Sequence, residues 1–205
     1  MHPQLQQRSL RAPATRALSV PLAVRCLIAA ALAAGASGAA QAAPWFTDPG
    51  VHVAYGRDTS HDVNKYELGI NFNTPIQYGN PDSWLLRLQV EFNIAQWQSR
   101  GGTNSQNLQE FGFTPILRVE KRGSFSFVPF IEGGLGLRLL THTHTSDEHN
   151  MSSAFQFGDM IGVGIAFGKN QSTEAGFRFQ HISNASIREP NPGANFYTGY
   201  VRYRF

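Results

Sequence analysis

"DSWLLRLQVEFNIAQWQ", Asp82 to Gln98, decides how the rest of the chain is read. Trp84, Leu86, Leu88, Val90, Phe92 and Ile94 take every second position, and Arg87, Gln89, Glu91 and Asn93 fall between them. A strand points successive side chains to opposite faces, so this stretch makes one apolar face and one face of charges and amides.

The alternation recurs on both sides of it. "QEFGFTPILRVE" sets Phe111, Phe113, Leu117 and Val119 against Glu110, Thr114, Arg118 and Glu120. "FSFVPFIEGGLGLRLL" sets Phe125, Phe127, Ile131, Leu135, Leu137 and Leu139 against Ser126, Glu132, Arg138 and several glycines. "AFQFGDMIGVGIAFG" aligns Phe155, Phe157, Ile161, Val163, Ile165 and Phe167, and "NFYTGYVRYRF" opposes Tyr197, Val201, Tyr203 and Phe205 to Arg202 and Arg204. With "GVHVAYGRD", "VNKYELGINFNT" and the stretch opening at Phe177, about eight strands result. Their connections are "TPIQYGNPDS", "QSRGGTNSQN", "KRGS", "THTHTSDEHNMSS", "GKNQ" and "NASIREPNPGA". From the third onward short and long ones alternate, as in outer-membrane barrels.

Alternation alone fits a soluble barrel with its apolar face inward or a membrane barrel with that face toward lipid. Three features favour lipid. The polar faces carry opposite charges, Arg87, Glu91, Arg118, Glu132, Glu174, Arg178 and Arg202 among them, suited to pairing in a narrow lumen. Gly133, Gly134, Gly136, Gly162 and Gly164 leave room where an eight-stranded lumen is crowded. Apolar strands of ten or more residues exceed the usual globular length of about five or six. The carboxyl end, with Val201, Tyr203 and Phe205 in alternation, resembles the terminal signal of bacterial outer-membrane proteins. The expected fold is an all-β, eight-stranded antiparallel transmembrane β-barrel of the outer membrane, closed so that every backbone group is satisfied in lipid.

Residues 1–42 read as a cleaved signal peptide, leaving 43–205 as a single barrel domain. Arg8, Arg11, Arg16 and Arg25 precede and flank the short apolar run "CLIAAALAAGASGAA", and "AQA" ends it at Ala42. The leader holds 4 of the 17 Lys+Arg and none of the 14 Asp+Glu, so the remainder carries 13 − 14 = −1. Its basicity therefore belongs to the leader, and no nucleic-acid footprint is left. Cys26, the one cysteine, leaves with it, so no disulfide framework is available.

"FRFQHISNASIREPNPGANFY", Phe177 to Tyr197, carries the chemistry. His181 and Ser183 share the parity of Phe177 and Phe179 and face lipid with them, and Asn195 at the start of the next strand has the same parity. With a periplasmic amino terminus, the three meet at the extracellular side, where the lipid is lipopolysaccharide. Polar groups aimed at hydrocarbon are expensive; an interfacial girdle would tolerate them without any function.

The wider string "HISNASIREPNPGANFY" resembles the lipid A 3-O-deacylase (PagL) family, whose members carry His-x-Ser-Asn-Ala followed by Pro-Asn-x-Gly. "PFIEGGLG" (Pro129–Gly136) and the Phe157-x-Asp159 pair extend the resemblance. It implies a serine esterase in which Ser183 attacks the acyl ester at position 3 of lipid A and His181 acts as base and acid. The family commonly has a glutamate where this chain has Asn195, which would orient the histidine; Glu189 in the preceding loop is the alternative acid. Asn184, Asn191 and backbone N–H groups after Ser183 are candidate oxyanion donors, and Ser186 replaces a usual glycine. The implied partner is lipopolysaccharide, with pairing of two barrels left open, and no cofactor is required. His142, His144, Asp147, Glu148 and His149 offer metal-ligand types but read as a solvated loop, so no metal is assigned. A non-catalytic scaffold or adhesion barrel and a lipid A acyltransferase remain as alternative functions.

Overall fold

Alternating strands that meet lipid find no water for an open edge, so the sheet must close on itself. The computed structural model describes residues 45–205; the expected leader lies outside them. β1 (Thr47–Asp58), β2 (Val63–Gly79), β3 (Trp84–Ser99), β4 (Leu108–Lys121), β5 (Val128–Leu140), β8 (Phe155–Phe167), β9 (Thr173–Ser183) and β10 (Ala194–Arg204) form a closed barrel. Two short strands, β6 (His144–Ser146) and β7 (His149–Asn150), make a hairpin in the loop after β5. Every barrel strand is antiparallel to its neighbours, and β1 pairs with β10 to complete the ring.

The barrel is apolar outside and charged inside. Leu117, Ile131, Leu135 and Ile161 are 56–61% exposed, whereas Arg118 and Arg178 are each 1% exposed. A soluble barrel would reverse these values, so the outer face of this barrel is built to meet lipid.

Buried charges persist only when paired, and the lumen pairs them in a chain. Arg178 grips both Glu91 oxygens at 2.8 and 3.1 Å and donates to Glu132 at 2.7 Å. Arg202 bridges Glu91 at 2.7 Å and Glu174 at 2.8 Å, and Arg118 bridges Glu132 at 2.7 Å and Glu174 at 2.9 Å. Tyr200 donates its hydroxyl to Glu132 at 2.9 Å. Glycines make the space: a Cβ on Gly162 would lie 2.8 Å from Arg178 Cγ, and one on Gly176 would lie 2.6 Å from the Tyr200 ring.

The two ends of the lumen differ. At the end where β9 runs into the 184–193 loop, Val63, Trp97, Leu108, Leu140, Met151, Ile182 and Phe196 form an apolar plug. At the opposite end a cavity of about 450 Å³ opens among Arg87, Glu120, Arg204, Val128, Ala166 and Phe205, charged and apolar groups together.

Two boundaries differ from the sequence reading. Residues 74–79, read as a connection, continue β2 after an irregularity between Asn73 and Gln77, so the turn is only 80–83. Phe125 and Phe127, read as strand, precede β5 and stack on each other at 5.1 Å. Pairing of β5 with β8 starts only at Val128↔Ala166.

Candidate active site

Register sets the site. On β9, His181 lies between Asn195 of β10 and Asp159 of β8, while Ser183 lies opposite Phe157. His181, Ser183 and Asn195 are half-buried on the outer face, and Asp159 is exposed there. Their inward neighbours Ile182, Ala194 and Phe196 are buried in the apolar plug. The polar groups therefore stand on backbone that packing holds still, at the last turn of strand before the loop.

His181 Nδ1 is 2.7 Å from Asn195 Oδ1. An amide oxygen only accepts, so Nδ1 carries the proton and Nε2 of the neutral ring keeps its lone pair. Gly193, at φ +67°, lies against the far edge of the ring: a Cβ there would be 2.9 Å from Cε1 and 3.6 Å from Nε2. The basic nitrogen is thus turned toward Gly193, at the end of the 184–193 loop. No hydrogen bond joins Ser183 Oγ to the imidazole among the described residues, a separation common in free enzymes. The Asn195 N–H donates to Asp58 Oδ2 at 3.1 Å.

The candidate oxyanion donors separate into occupied and free. Asn184 is buried; its Nδ2 donates to Met151 O at 3.0 Å and Arg188 O at 2.8 Å. Its backbone N–H donates to Asn191 Oδ1 at 3.1 Å. Asn184 is therefore a loop brace and not a donor, a correction to the sequence reading. Asn191 braces the loop through its oxygen, which leaves its Nδ2 uncommitted. Beyond them, the Ile187 N–H closes a turn onto Asn184 O at 3.1 Å, with Ala185 at φ 54° and Ser186 at φ 58° as its central residues. Ser186 adopts the left-handed conformation that glycine favours, so the turn keeps its shape at a cost in strain.

Glu189 is exposed and makes no hydrogen bond or ion pair among the described residues, so the structure does not bring it to His181. The histidine-rich loop is not simply solvated. Thr145, Ser146 and His149 are buried, because the β6–β7 hairpin folds over the barrel end. His149 stacks on His61 at 3.7 Å and 6°. Among the described residues, donor atoms converge in one set suited to metal: His52, Glu67 and Glu91. Glu67 already meets Lys65 at 3.0 Å and Glu91 meets two arginines, so a further dication would face three cations there. Asp58 escaped the sequence reading, since no local pattern marks it, and His149 reads in sequence only as part of a solvated loop.

A profile of the lipid A 3-O-deacylase (PagL) family matches residues 64–204, which include His181, Ser183 and Asn195. The lipid A deacylase PagL of Bordetella bronchiseptica is 32% identical over 175 residues, 83% of this chain and 90% of that protein. The lipid A deacylase PagL of Pseudomonas aeruginosa is 31% identical over 137 residues, 67% and 76% respectively. The crystal structure of the outer membrane enzyme PagL superposes with a TM-score of 0.68 at 25% identity, covering 76% of this chain and 99% of that one. These likenesses define the class: a hydrolase acting on ester bonds, built into an outer-membrane barrel. The chain belongs to the lipid A 3-O-deacylase family.

Proposed function

We propose that this protein is a serine esterase that removes the 3-O-linked acyl chain of lipid A from the outer leaflet. The observation that carries the reading is the His181–Asn195 hydrogen bond on the lipid-facing side of the strand that also bears Ser183. Positions two apart on one strand face lie about 6.6 Å apart along the chain, and both side chains can lean toward a shared substrate atom.

In the first step Ser183 Oγ attacks the ester carbonyl as His181 Nε2 takes its proton. The C–O bond to the sugar then breaks, and His181 returns the proton to the departing 3-oxygen. Water, activated by the same nitrogen, cleaves the acyl-serine and releases the fatty acid. The developing oxyanion meets the Ala185 and Ser186 N–H groups and Asn191 Nδ2. Asn195 fixes the tautomer without neutralising the imidazolium; Asp159, in the same outward row, supplies a negative charge nearby. The acyl chain lies along the apolar stripe where Phe179 and Tyr197 pack at 5.4 Å.

Mass spectrometry of lipid A from cells expressing the protein tests this. Loss of one 3-linked chain, abolished by Ser183→Ala, is the expected result, and purified Ser183→Ala or His181→Ala should lose at least about 10³-fold in turnover. Unchanged lipid A would leave a scaffold, and a gained chain would indicate an acyltransferase.

A further inference from the structure

Three segments far apart in sequence converge behind the histidine. Asp58, at the end of β1, is fully buried and spends both carboxylate oxygens. Oδ1 accepts the N–H groups of Ser60 at 2.8 Å and His61 at 3.3 Å; Oδ2 accepts His61 Nδ1–H at 2.9 Å and the Asn195 N–H at 3.1 Å. His149, from the β6–β7 hairpin, donates Nε2–H to Gly193 O at 2.9 Å, so its Nδ1 accepts the Thr145 hydroxyl at 2.7 Å. The stacked His61 and His149 rings lock the two halves together.

The segment they hold is the one that touches His181. Asn195 supplies its acceptor and Gly193 lies against its Cε1–Nε2 edge. A buried carboxylate is a costly cap for the turn after β1, because a hydroxyl or amide would serve Ser60 as well. What the carboxylate adds is the oxygen left for β10.

We propose that Asp58 and His149 are positioning residues for the deacylation, acting through Asn195 and Gly193 to fix the His181 ring. This rests on His181 being the base and Ser183 the nucleophile. Neither Asp58 nor His149 touches the reacting atoms; together they clasp the start of β10 from outside the catalytic strands.

The test uses the full protein folded in detergent with lipopolysaccharide in mixed micelles, with heat-modifiable gel migration reporting the closed barrel. Asp58→Asn and His149→Phe, the latter keeping the stack but losing the donor, should migrate as folded barrels. Each should lower kcat about 10-fold or more with KM within about twofold of the parent, since a small misplacement of a catalytic group costs on that order. Asp58→Asn should cost nothing further in an Asn195→Ala background, because its effect runs through that residue. Unchanged kcat in folded variants, losses that multiply with Asn195→Ala, or failure of both variants to fold would each overturn the clasp. Full activity of Ser183→Ala would instead overturn the catalytic reading itself, which separates the two failures.

Discussion

The two ends of the lumen are built from different materials. Beneath the site, Trp97 and Phe196 pack edge to face at 4.7 Å within a dry plug. At the far end, Arg87, Glu120 and Arg204 line an open cavity together with Val128, Ala166 and Phe205. Between them, arginines and glutamates pair across the lumen. The contrast teaches where rigidity is concentrated. The strand end that bears His181, Ser183 and Asn195, the proposed site, is backed by close packing. The far end keeps an open cavity, lined by mostly buried ion pairs and by Val128 and Ala166.

Phe196→Ala should break the contrast most severely, because it empties the plug directly between Asn195 and Tyr197. A loss of about 3–5 kcal/mol in urea unfolding from micelles is expected, with turnover falling in whatever fraction stays folded. Glu91→Gln strikes the girdle between the ends by leaving Arg178 and Arg202 short of a charge, and should cost about 3 kcal/mol in the same measurement. Ser186→Gly relieves a left-handed residue in the loop above the plug, and should raise stability by about 1 kcal/mol. Arg87→Gln at the far mouth, where the ion pair to Glu120 is long at 3.6 Å and partly exposed, should change stability by less than about 1 kcal/mol. If Arg87→Gln proved as damaging as Phe196→Ala, the two ends would not differ as described.

Acid sharpens the same comparison at the rim. Burial, and then the neighbouring His61, push the His149 imidazole below its ordinary 6.5, although the Gly193 carbonyl and Asp58 pull the other way. The unfolded or opened state therefore binds more protons, and the clasp is weakened as pH falls below about 6.5 and is fully present above it. The titratable groups facing His149 come from the end of β1 and the turn after it, Asp58 and His61, while the β9–β10 segment offers a carbonyl. Amide-exchange protection at Asn195 should fall between pH 7.5 and 5, while protection in the plug at Ile182 stays constant.

How much of this was legible follows from what each feature depends on. The lipid-facing parity of Trp84, Leu86 and Phe92 needs only the pleat of one strand, and so did the placing of His181, Ser183 and Asn195 on a single face. Strand ends depend on a partner: Phe125 and Phe127 continue the alternation beyond Val128, where pairing with β8 begins. Residues 74–79 hid a strand behind Pro75 and a bulge. The role of Asn184 is fixed by Met151, 33 residues away, and the hold of Asp58 on Asn195 spans 137 residues. No periodicity encodes such meetings.

The filled lumen sets the traffic of this enzyme. Nothing passes through a cylinder occupied by Arg118, Arg178 and Arg202, so on the proposed function substrate and fatty acid arrive and depart sideways, within a film one molecule thick. Its working concentration is a surface density, and its speed answers to how fluid and how tightly cross-bridged that film is, more than to anything dissolved on either side.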